Sequence, residues 1–112
     1  MHRVFMTPVS DVYSHYVNKV ERHGRTAVEV DAAISWLTGF TRASIHKYIK
    51  QNTTFENFFA AATINPNAVL ITGSICGVKI QDIEDPLMKN IRYLDKLVDE
   101  IAKGKPMDKV LR

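Results

Sequence analysis

Apolar side chains recur along this chain in steps of three and four residues, broken at intervals by capping residues and glycines. Such a step repeats one buried face of an α-helix. Thr7-Pro8 opens the first helix, with Thr7 or Ser10 to accept from the unpaired amides of its first turn and proline tolerated there. Val9, Val12, Tyr13, Tyr16, Val17 and Val20 form its inner face, and Gly24 ends it. A second helix begins at the capping box Thr26-Ala27-Val28-Glu29, buries Val30, Ala33, Ile34 and Leu37, and stops at Gly39. Thr41 recaps at once, and Ile45, Tyr48 and Ile49 face inward on a third helix reaching about Gln51. A fourth, short helix follows a box formed by Thr53 and Glu56. It carries three of the five phenylalanines, Phe55, Phe58 and Phe59, which predicts a plug at the centre of the core.

The last long unit is the clearest. Asp85 caps it, Pro86 takes the first helical position, and Gly104 follows its end. Leu87, Ile91, Leu94, Val98 and Ile101 make its stripe, widened by Leu97 and Ala102. Residues 69–80 admit two readings. Gly73-Ser74 suits the two-residue turn of a hairpin between 69–72 and 75–80. The same letters fit a buried helix with Gly73 and Gly77 one turn apart. The helix is preferred, because a lone two-stranded hairpin has no sheet to join. If any β element forms, it forms here. The expected fold is therefore all-α, one compact domain over 1–112 with five to six short helices.

Composition narrows the class of protein. The chain has 112 residues, 46% of them hydrophobic and 24% charged. That is enough for one domain with one core. One cysteine, Cys76, leaves no internal disulfide, and no Cys/His set has zinc spacing. No apolar run has the length of a membrane span, and the N-terminal residues lack the apolar stretch of a signal peptide. A cytoplasmic protein with no membrane association and no cofactor is expected. The net charge of +3 is spread evenly, with seven Lys/Arg against five Asp/Glu in residues 1–66 and eight against seven thereafter. This balance concerns solubility more than any partner.

Three stretches together resemble a known family. They are Trp36-Leu37-Thr38-Gly39-Phe40, the segment from Leu70 to Val78 that includes Gly73-Ser74-Ile75-Cys76-Gly77, and the long run from Ile83-Glu84-Asp85-Pro86 to Lys103-Gly104-Lys105. The chain resembles the uncharacterised bacterial domain-of-unknown-function 2200 family over nearly its whole length. The resemblance implies a small bacterial cytoplasmic protein and carries no catalytic residue, binding residue or cofactor.

The residues themselves offer three functional readings. The first is a non-catalytic interaction module, homodimeric through the C-terminal helix, with Met88 and Tyr93 beside the stripe as partner contacts. The motive is that folding signals account for nearly every unusual residue. The second is a DNA-binding helix-turn-helix made of helices 27–38 and 42–51. Arg42, His46, Lys47 and Lys50 on the outer face of its second helix would meet nucleic acid. An ordinary solvated helix pair has the same pattern, and the family resemblance does not extend to this basic set. The third is a small thiol enzyme using Cys76, which needs a base. The four histidines (His2, His15, His23, His46) all lie in the first half of the chain, and a cysteine in an Ile-Cys-Gly-Val setting more often packs as a small hydrophobe. Asp95 and Asp99 read as surface charges beside lysines, with Asp99 and Lys103 spaced as a helical ion pair. No metal site is expected from the acidic clusters.

Overall fold

The computed structural model describes residues 2–112. Six α-helices form among the described residues: α1 (Val9–Glu21), α2 (Ala27–Thr38), α3 (Arg42–Lys50), α4 (Phe55–Ala60), α5 (Pro86–Ala102) and α6 (Met107–Val110). A two-stranded antiparallel hairpin, β1 (Ser74–Ile75) and β2 (Val78–Lys79), joins α4 to α5 between short 3-10 turns. The all-α expectation holds, with this small β element inside 69–80.

Helix α5 is the spine. Ile91, Leu94, Leu97, Val98 and Ile101 on it are buried, and α1, α2, α4, α6 and β1 all pack against it. The phenylalanine plug forms as predicted: Phe55, Phe58 and Phe59 are buried, with Phe58 edge-on to Phe40, Tyr48 and Phe59. The Thr26/Glu29 capping box is present, and Asp85 accepts from the Met88 amide at 2.9 Å with Pro86 in the first turn. Gly104, at φ +92°, closes α5. Its amide reaches the Ile101 carbonyl at 3.0 Å, and the Lys105 amide reaches Glu100 at 3.0 Å. This paired closure is the left-handed stop that glycine permits. The Arg25 guanidinium adds a second cap from outside, donating to the carbonyls of Ile101 at 3.0 Å and Lys105 at 2.9 Å while pairing with Glu29.

Three expectations are corrected. The α4 cap is Thr54, not Thr53: its hydroxyl accepts from the Asn57 amide at 3.2 Å. The Thr53 carbonyl instead accepts from the Val9 amide at 2.8 Å, and Phe55 donates to Thr7 at 3.1 Å, so an isolated bridge of Pro8 to Thr54 pulls the cap one residue along. The same bridge leaves Pro8 extended, just outside α1. Secondly, residues 69–80 are not a helix, and their turn is Cys76-Gly77, not Gly73-Ser74. Ile75 pairs with Val78 and Ser74 with Lys79. Both turn residues have positive φ, +53° at Cys76 and +77° at Gly77, as a primed two-residue turn requires. No larger sheet is needed because α5 backs the hairpin: Ile75 packs on the core, and the Lys96 ammonium donates to the Ser74 carbonyl at 3.3 Å. A helix can supply the apolar backing that a lone hairpin lacks.

Thirdly, Asp95 and Asp99 are not surface charges. Their side chains are half-buried, and they receive Tyr16 and Lys19 of α1. Asp99 pairs with Lys19 at 3.1 Å and, as its spacing promises, with Lys103 at 2.9 Å.

These pairs make stability acid-sensitive. Burial alone would raise the Asp99 carboxyl, but hydrogen bonds from Lys103 and Lys19 hold it below the usual carboxylate range. The Arg25 hydrogen bond likewise lowers Glu29. A carboxyl lower in the folded than in the unfolded chain stabilises the fold fully above its unfolded value, roughly pH 4. That contribution is lost as pH falls through the folded value. Melting followed by circular dichroism should therefore show a temperature nearly constant above that region and falling below it, with a smaller fall in Asp99→Asn. The hairpin gives a second expectation. A non-glycine residue in left-handed conformation costs about 1–2 kcal/mol. Cys76→Gly should raise the melting temperature and the β-branched Cys76→Val lower it; the reverse order would refute the turn geometry.

Candidate functional site

The sequence-derived candidates fall in three separate places. The first is the α2–α3 unit. Gly39, at φ +77°, Phe40 and Thr41 turn the chain between the helices, and Thr41 caps α3 by accepting from the Ser44 amide at 3.1 Å. Ile45 is buried and Tyr48 and Ile49 are half-buried, while Arg42, Ala43, His46, Lys47 and Lys50 are exposed. A short turn thus joins α2 to α3, the basic side of α3 lies in solvent, and α3 also rests on α1.

Behind this face lies a group that the apolar pattern does not reveal. Asp31 on α2 is only 3% exposed. Its Oδ1 accepts from the Tyr13 hydroxyl at 2.7 Å, and its Oδ2 accepts from Arg42 Nε at 2.9 Å with His46 Nε2 also 2.9 Å away. Burial and the hydrogen bond to Asp31 raise the Tyr13 phenol well above its ordinary value. The His46 ring stands edge-on to Tyr13 with centroids 5.5 Å apart. One carboxylate thus ties α1, α2 and α3 together and fixes two of the four basic side chains. The available signal was an aspartate beside the apolar stripe of α2, next to a helix whose own stripe carries tyrosines.

The second place is the hairpin tip. Cys76 is exposed, and Arg92 Nη1 lies 3.8 Å from its sulfur. The same guanidinium nitrogen donates to Asp95 at 2.8 Å, and Asp95 also accepts from the buried Tyr16 hydroxyl at 2.5 Å. Burial, then the Asp95 charge, push the Tyr16 phenol far up. An arginine, not a histidine, stands beside the thiol. The cysteine is exposed and does not pack as a small buried hydrophobe.

The third place is α5. Tyr93 is 6% exposed and buried within its own chain, whereas Met88 is half-buried near the N-terminal end of the helix. An open groove of about 270 Å³ lies there, lined by Glu56, Phe59, Ala60, Leu87 and Asn90. Two larger depressions are each lined by one helical stretch. One, about 650 Å³, lies over Ala43, His46, Lys47, Ile49 and Lys50; the other, about 590 Å³, over His15, Asn18, Glu21 and Arg22. Among the described residues no three His, Cys, Asp or Glu side chains converge as a metal site requires, and no helix is long and apolar enough to cross a membrane.

Residues 3–112 match the family model described as "Uncharacterized protein conserved in bacteria (DUF2200)". The fold also superimposes on the crystal structure of uncharacterized protein SP1917 with a TM-score of 0.93 and 42% sequence identity, covering 99% of this chain and 93% of that one. No curated protein matches.

The Asp31 tie predicts a measurable cost. Asp31→Ala strands the Tyr13 hydroxyl and should lower stability by about 1–3 kcal/mol in urea unfolding. The exposed Asp82→Ala should change it by less than about 0.5 kcal/mol. Equal effects would show that Asp31 is not the junction of the three helices.

Proposed function

The chain belongs to the DUF2200 family of uncharacterized proteins conserved in bacteria, and from that footing we propose that it is a non-catalytic interaction module of the cytoplasm, which acts by presenting helix faces to partners. The observation that supports this reading is the lining of the depressions over α1 and α3, each made by residues of one helical stretch. A site that binds or transforms a small molecule gathers polar groups from several directions into a concavity. A single helix offers a surface to a partner that brings its own relief. The unpaired thiol at the exposed hairpin tip fits a reducing compartment.

The proposed partner includes a second copy of this chain, met through the C-terminal helix. Most of the α5 stripe is covered by this chain's own helices, so a second copy would meet its N-terminal end. There Ala60 and Leu87 line an open groove, and Met88, next to Leu87 in sequence, is half-buried. Methionine adapts its shape to a partner, and its type is enriched at interfaces.

Size-exclusion chromatography with light scattering tests this arrangement. The unmodified protein should give the mass of two chains at micromolar concentration, and Ala60→Arg with Met88→Asp should return the mass of one. A one-chain mass for the unmodified protein ends the homodimer. A two-chain mass unmoved by both substitutions places the interface away from α5.

A further inference from the structure

The outer face of α3 is the most strongly charged surface on which several observations meet. From Arg42 to Lys50 the helix carries three full positive charges and a histidine, and no carboxylate. At 3.6 residues per turn, Arg42, Ala43, His46, Lys47 and Lys50 fall within an arc of about 140°. Ala43 sits within that arc, between Lys50 and Lys47. Its small side chain leaves the shallow floor of the 650 Å³ depression, with His46, Lys47 and Lys50 around it. A floor of this kind lets another surface approach the helix backbone while cations meet its edges.

Arg42 is held ready within this face. Its Nε is bound to the buried Asp31, yet its side chain remains 64% exposed. The brace uses one nitrogen of the guanidinium. Nη1 and Nη2 make no bond to protein among the described residues, and they carry the donors of a planar fork that matches paired acceptors. Bracing also reduces the freedom lost on binding. Asp31 offsets one positive charge, and the two exposed lysines add theirs without a partner among the described residues.

We infer that this face of α3 docks in the major groove of duplex DNA, with Lys47 and Lys50 on backbone phosphates and the braced Arg42 on a base edge. The inference rests on reading helix faces as this protein's working surfaces, and it does not require the homodimer. Duplex DNA is favoured over other polyanions by shape. The three-residue turn from α2, the seating of α3 on α1 and α2, and an arginine in the first turn of α3 share the connectivity of helix-turn-helix proteins. A helix about 10–12 Å across with its side chains fits a major groove about 12 Å wide.

Fluorescence anisotropy with a labelled duplex of about 20 base pairs, read between about 50 and 200 mM salt, tests the proposal. Two neutralised phosphates predict that affinity falls about 12-fold across that range, and Lys47→Ala with Lys50→Ala should all but abolish the fall. The same double variant should weaken binding at least roughly tenfold at the lower salt. Both lysines are exposed, and an unchanged circular dichroism spectrum confirms the fold. Arg42→Lys keeps the charge but not the fork, so it should lose about tenfold in affinity with the salt dependence retained. Absence of binding at the lower salt, or binding indifferent to the lysine changes, overturns the proposal. Tighter binding to heparin or to phosphatidylserine vesicles than to the duplex also overturns it, in favour of a general anion surface. Light scattering on the same samples keeps the readings apart, since the α3 variants should leave the oligomeric mass unchanged.

Discussion

A helix with an apolar surface covering about half its circumference cannot be buried by one neighbour, and α5 is such a helix. Burying each large aliphatic side chain is worth about 1.5–3 kcal/mol, and α5 carries five that are fully buried: Ile91, Leu94, Leu97, Val98 and Ile101. The remaining elements are arranged to cover them. Helices α1 and α2 lie along its length, α4 brings the phenylalanines, α6 packs on it as well, and β1 covers another part. Helix α3 rests on α1 and α2, one layer out from the spine. That position leaves its basic side in solvent.

Polar ties set how the cover sits. Tyr13 and Tyr16 follow the apolar rhythm of α1, but their hydroxyls end beside Asp31 on α2 and Asp95 on α5. Lys19, further along α1, reaches Asp99. Three carboxylates therefore receive α1 at successive points. A buried carboxylate without a donor would be costly, so rotating or sliding α1 leaves charges unpaired as well as side chains misfitted. Apolar contact holds the helices together, and these bonds choose one arrangement of them. The same logic turns Asp31 from a helix tie into a brace for Arg42.

The elements were legible where local chemistry is decisive. The capping box at Thr26 and Glu29, the proline after Asp85 and the glycine after Lys103 each satisfy or end hydrogen bonding within a few residues of themselves. Any tertiary setting leaves such signals intact. The Thr53/Glu56 cap and the Gly73-Ser74 turn failed for the opposite reason. Thr53 lends its carbonyl to Val9, distant in sequence. The hairpin turns at Cys76-Gly77 with α5 behind it, although a cysteine at φ +53° is locally unfavourable. The candidate sites divide in the same way. The basic face of α3 follows from helical spacing, whereas Asp31 behind it and Arg92 beside Cys76 come from other helices.

What this chain's sequence determined alone was the inventory: where helices begin and end, which side of each is greasy, and that one phenylalanine-rich core would gather them. Those properties depend on spacing and on bonds closed within a turn or two. Only the folded molecule decided which helix stands at the centre, where the hairpin turns, and which carboxylates are buried between helices. These depend on residues up to eighty positions apart, such as Lys19 and Asp99, and a local pattern of letters holds no record of which distant groups will meet.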